Sequence, residues 1–139
     1  MNSQEIVDSF FLFHVGGNDI KSHEVENCVT KVEKLLKSTR NKFKHSKISV
    51  SLGLPRNDSQ DLNRKIELFN VNLKQVISQV ENCVWCDNSN LAYRGRPNTN
   101  CFDRDGVHLN RKGVQILINN FKKALGVNVF ENHQSYFWY

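Results

Sequence analysis

A parallel α/β sheet with helices on its faces is the fold class this sequence predicts, and three observations carry the prediction. Residues Phe10 to Val15 form a continuous apolar run that stops at Gly16-Gly17, the pattern of a strand covered on both faces and ending in a tight turn. Strand-like and helix-like segments then alternate along the rest of the chain, as successive crossover units do. With 139 residues, 39% hydrophobic and 24% charged, the chain is long enough for one hydrophobic core, too short for two domains and too apolar for intrinsic disorder.

Each element has its own signal. Val25, Cys28, Val29, Val32, Leu35 and Leu36 recur at intervals of three and four, which predicts a helix from about Glu24 to Ser38. Ile48, Val50 and Leu52 alternate from Lys47 to Leu52, a second strand stopped by Gly53-Leu54-Pro55. Asp58 or Ser59 can cap the next helix, where Leu62, Ile66, Phe69, Leu73, Val76, Ile77 and Val80 share one face. Asn82 to Asp87 supplies a third, short strand, followed by a polar, irregular stretch from Asn88 to Arg104. Val114, Leu117, Ile118, Phe121 and Leu125 mark a last helix, capped by Asn110 and closed by Gly126. Residues 127–139 form an aromatic tail with Phe130, Tyr136, Phe137, Trp138 and Tyr139, readable as a docking element, a strand or a sticky end.

Composition narrows the function classes. The formal charge of +5 and a pI near 9.1 can attract nucleic acid. However, Lys31, Lys34, Lys37, Arg40, Lys42, Lys44 and Lys47 are spaced as on a solvated helix face, and only Phe43 stands among them as a stacking ring. Nucleic acid therefore stays a weakly supported partner. The N-terminus lacks a basic region and a long apolar segment, so a cytoplasmic or nuclear protein is expected, with no membrane contact. Four cysteines in such a chain argue against a disulfide scaffold. Cys83 and Cys86 are three apart on a strand, where side chains diverge, and Cys28 and Cys101 complete no zinc pattern. No metal site and no cofactor are expected, since Gly16-Gly17 also lacks the rest of a phosphate-binding fingerprint.

Ligand sites of parallel sheets form beyond the carboxyl ends of strands, and two chemical segments fall there. Asn18, held past the first strand by Gly16 and Gly17, can donate its amide to a developing oxyanion; it can equally cap a turn. Asp105 lies three residues before His108, close enough for its carboxylate to orient the imidazole and leave the second ring nitrogen free as a base; the alternative is a surface histidine beside an Asp-Gly turn. His14 on the apolar strand reads as a satisfied core residue. No serine or cysteine stands where it would be the nucleophile: Ser3 and Ser9 lack the context, and Ser51 and Ser89 lie in or near other strands.

In this order and separation, Gly16-Gly17-Asn18-Asp19 and Asp105-Gly106-Val107-His108 resemble two sequence blocks of the SGNH hydrolases, the GDSL esterase and lipase superfamily. The resemblance runs from about Phe10 to Leu125. It implies a three-layer α/β/α, flavodoxin-like parallel sheet, with Asn18 as oxyanion donor and His108 and Asp105 as two members of a catalytic triad acting on a small ester. The family's first block, Gly-Asp-Ser with the nucleophile, is missing, as only nine residues precede Phe10. Residues 1–126 are thus expected to be a partial SGNH domain, truncated at its N-terminus and inactive by itself, or else a non-catalytic module of the same fold binding RNA or a protein. Loss of the front strands would leave Phe10 to Val15 as an apolar sheet edge open to self-association or a partner strand.

Overall fold

The structure, a computed structural model, describes residues 9–15 and 19–126, and the backbone of residues 134–138. Strand β1 (Phe10–His14) leads through helix α1 (Val25–Lys42) to β2 (Lys47–Ser51), and α2 (Gln60–Ser78) leads on to β3 (Cys83–Cys86). A stretch with two 3₁₀ turns and a minimal hairpin, β4 (Ala92–Tyr93) and β5 (Arg96–Pro97), precedes α3 (Arg111–Leu125) and a last strand, β6 (Gln134–Trp138). The main sheet runs β3-β2-β1-β6 with every pair parallel.

Alternation within β1 explains its unbroken apolar sequence. Phe11 and Phe13 face α1 and α2, packing with Ile48, Val50, Leu36, Phe69, Leu73 and Ile77. Phe10 and Leu12 face the other way, onto Leu117, Phe121 and Leu125 of α3. Covering both faces with helices gives three layers, α/β/α. Cys83 packs in the first cluster and Cys86 in the second, so the two thiols do diverge, and all four cysteines are free.

The helix ends follow local chemistry. Ser59 Oγ accepts from the Leu62 amide, which settles the choice of cap for α2, while Asp58 pairs with Arg56 instead. Asn110 caps α3 by accepting from the Gly113 amide, and Gly126 closes it at φ 71. α1 continues one turn past the expected Ser38 because Thr39 is buried and bonds back to Leu35 O, and Arg40 gathers the carbonyls of Phe43 and Ser46 beyond the helix end. Arg40 is therefore a structural cation, not part of a solvated face. Lys47 is another, donating to Leu125 O at 3.1 Å.

The expected open edge on β1 is not present: β6 pairs along it, Phe10 opposite Gln134 through His14 opposite Trp138. Crossover chirality supplies the reason. The steps β1 to β2 to β3 travel one way with α1 and α2 on one face. A parallel strand reached by travelling back must bring its helix over the opposite face to keep the same hand, and α3 lies there. The Lys47–Leu125 contact puts the end of α3 beside the start of β2, the rim from which a parallel strand must enter. No described helix is long and apolar enough to cross a membrane.

Candidate active site

The loops after β2 and β3 leave the sheet at the same rim, and the second of them carries Asp105 and His108. The segment from Cys101 to Asn110 is tied to itself: Asp103 N donates to His108 O at 2.7 Å, Asn110 N to Cys101 O at 2.9 Å, and Phe102 bridges Leu109. Asn110 adds side-chain bonds to the carbonyls of Asn100 and Phe102, and so joins the loop to the first turn of α3. Gly113 in that turn permits the approach, because a Cβ there would lie 2.1 Å from Cys101 O.

Within this frame Asp105 has one oxygen on the backbone and one on the ring. Oδ1 accepts from the Val107 and His108 amides at 2.9 and 3.0 Å, and Oδ2 accepts from His108 Nδ1 at 2.6 Å. The ring bond, followed by the two amides, holds the Asp105 carboxyl well below the usual carboxylate range. With Nδ1 used as the donor, neutral His108 presents Nε2 as its free lone pair, and the ring is exposed to solvent. That is the tautomer and orientation a general base needs.

A second loop supports the first. Asn70 of α2 accepts from Gly53 N and donates to Gly53 O, at 2.8 and 2.9 Å. One heptad earlier Asn63 does the same for Arg56, 2.5 Å in each direction. These two amides replace strand-like pairing for the loop leaving β2. Arg56, buried, forms a forked pair with Asp58 at 2.9 and 2.7 Å. Its guanidinium is raised above its ordinary value chiefly by Asp58, with Asp105 adding a smaller attraction. Between them, Asn57 N donates to Gly106 O, and Gly106, at φ +69, lies so close to Asn57 that a Cβ would sit 2.6 Å from the Asn57 Cβ. Arg56, Asn57, Asn63 and Asn70 thus brace the Asp105–His108 turn. Sequence reasoning had missed all four, and the only signal was the seven-residue spacing of two asparagines at the margin of an apolar helix face.

Gly16, Gly17 and Asn18 lie outside the described residues. Asp19, next to them, pairs with Lys31 at 2.6 Å. Ser51 is fully buried and its hydroxyl is engaged by His14 Nδ1 at 2.8 Å and Asn88 Nδ2 at 2.6 Å. No described side chain other than Asp105 bonds the His108 ring. Among the described residues no cluster of three His, Cys, Asp or Glu could hold a metal ion.

No family profile and no curated protein matches the sequence. Solved structures do match. A protein from Streptococcus pneumonia named for platelet activating factor aligns at TM-score 0.73 and 22% identity over 84% of this chain and 59% of its own. A carbohydrate esterase of family 3 from Talaromyces cellulolyticus aligns at TM-score 0.68, 20% identity, 84% and 56%. A protein from Parabacteroides merdae named as a GDSL-like lipase aligns at TM-score 0.66, 18% identity, 84% and 61%. The chain shares the fold of these three structures. It spans about three fifths of each of these three structures.

Proposed function

We propose that this chain carries the base half of an SGNH-type ester-hydrolysing site. His108 is the general base, Asp105 its orienting carboxylate and Asn18 an oxyanion donor supported by Gly16 and Gly17. The observation that carries the reading is the 2.6 Å bond from His108 Nδ1 to Asp105, with Nε2 turned to solvent at the rim where the SGNH fold places its chemistry. Proton removal by such a base requires a hydroxyl within hydrogen-bond reach, and the described residues bring none to it. On this reading the chain is inactive by itself and its nucleophile is supplied by a segment bearing a Gly-Asp-Ser strand.

Hydrolysis of p-nitrophenyl acetate tests this. The purified chain and its His108→Ala variant should show equal background rates and no acyl adduct by mass spectrometry. Adding a Gly-Asp-Ser strand unit, fused upstream or supplied in trans, should produce turnover that vanishes in His108→Ala. Turnover by the chain alone that depends on His108 and leaves an acyl group on one of its residues would overturn the missing-nucleophile reading. Failure of every complemented form to show dependence on His108 would overturn the base assignment.

A further inference from the structure

β6 is the least secured strand of the main sheet. It ends the order β3-β2-β1-β6, so only one of its edges is paired, along the residues from Gln134 to Trp138. Among the described residues β1 is the one element it adjoins at length, whereas α3 lies against β2 and β3. A strand held by a single ladder opens at lower cost than the rest of a sheet. The edge it covers is of another kind: β1 is buried at Phe11, Leu12 and Phe13, and it offers a row of parallel hydrogen-bonding groups to whatever strand lies beside it.

On the ester-hydrolysis reading, that edge is where a nucleophile strand has to enter. The hydroxyl must come within reach both of His108 Nε2 and of the ester carbon whose oxygen Asn18 would stabilise. Asn18 follows the end of β1 by four residues. Neighbouring strands lie about 4.8 Å apart, so one added beyond β3 would end about 14 Å from β1, and one beyond β6 about 10 Å. Only a strand paired with β1 ends beside Asn18. On one side β1 already has β2, whose continuation is held at Gly53 by Asn70 and at Arg56 by Asn63. The remaining position is the one β6 fills.

We infer, resting on that reading, that β6 is a resident competitor: it covers the edge of β1 that receives a parallel apolar strand followed by Gly-Asp-Ser, and it must leave before that strand docks. Parallel pairing along β1 delivers the residues after the incoming strand to the rim that carries the Asp105–His108 turn. The apparent affinity for it is then lowered by the fraction of molecules in which β6 is still in place.

A fluorescein-labelled peptide, a short valine and isoleucine strand followed by Gly-Asp-Ser, tests this on the full chain. Tyr136→Pro combined with Phe137→Pro removes a ladder N–H whichever of the two positions faces β1. That variant should bind the peptide about tenfold tighter than the parent, since β6 no longer competes. By NMR, alternate amides from Phe10 to His14 should exchange faster in it and slow again when the peptide is added. If the proline pair does not fold, the opposite change makes the test: Phe10→Cys with Gln134→Cys, partners in register, locks β6 on oxidation and should abolish binding until a reductant is added. Equal binding by the parent and whichever altered form folds, or binding that leaves the amides of Phe10 to His14 unprotected, would overturn the competition. Each form is then given the Gly-Asp-Ser strand unit in trans with p-nitrophenyl acetate, and turnover should rank proline variant, parent, oxidised lock. His108-dependent turnover equal in all forms would overturn the competition and leave the ester reading in place. Ordered peptide binding without turnover in any form would overturn the ester reading and leave the strand exchange on β1 in place.

Discussion

The two faces of the central sheet are stabilised by different means. Toward α1 and α2 the contacts are almost wholly apolar, from Phe13 and Val50 through Leu36 to Leu73 and Ile77. Toward α3 a smaller apolar cluster is bordered by a chain of polar side chains. Asn88 Nδ2 donates to Ser51 Oγ, which leaves the Ser51 hydroxyl proton for His14 Nδ1. Asn120, nearly buried, donates to Asn88 and exchanges a reciprocal amide pair with Asn90. Apolar packing tolerates approximate chemistry provided volume is kept, whereas a polar network is favourable only when each member is satisfied. The difference teaches that the α3 face is tied by direction-specific bonds, while the α1/α2 face supplies bulk stability and reaches the rim through only the two asparagines of α2 that hold the loop after β2.

The comparison can be broken at its strong end first. Leu73→Ala should cost about 2–5 kcal/mol in urea unfolding, the range for emptying a fully buried leucine site. Next comes His14, whose dry surroundings pull its pKa from 6.5 to about 4. The unfolded chain takes up the proton at the higher pH, so stability is fully present above about pH 6.5 and declines as pH falls toward 4, by on the order of 3 kcal/mol. A urea-midpoint series over that window should show the decline in the parent and a flatter profile in His14→Gln. Asn120→Ala should cost about 1–3 kcal/mol by stranding the Asn88 and Asn90 amides, and unlike Leu73→Ala it should raise amide exchange in residues 88–91 more than in α2.

The smallest effect sharpens the site. Asp105→Asn, on an exposed loop, should leave the urea midpoint nearly unchanged yet abolish the preference of neutral His108 for its Nδ1-protonated tautomer, read from the ring nitrogen chemical shifts. In the parent, the depressed Asp105 pKa means its contribution is complete above the ordinary carboxylate range. That contribution fades only as pH falls below about 4 toward the lower folded value.

What was legible in the sequence divides along the same line. Phe10 to Val15, the stripes of α1 and α2, and the Asn110 and Gly126 caps could be read because burial and capping leave local patterns of fixed period. His14 was readable as a core residue because polar side chains on a strand covered on both faces must be satisfied there. Asn63, Asn70, Asn88, Asn90 and Asn120 could not be distinguished from surface asparagines, since their partners lie on other elements and a single amide has no period. Arg40 and Lys47 looked like solvated charges for the same reason, although each serves carbonyls at a chain end. The neighbour of β1 was misjudged because parallel pairing is decided by crossover geometry, not by the strand's own residues.

Half of the pairing of β1 waits on β6, contributed from the opposite end of the described chain. Loop closure over so long a separation is slow, so on a ribosome the first strand remains one-sided until residues 134–138 have emerged. A stall before residues 134–138 emerge would hold the nascent chain with one edge of its most apolar strand unpaired.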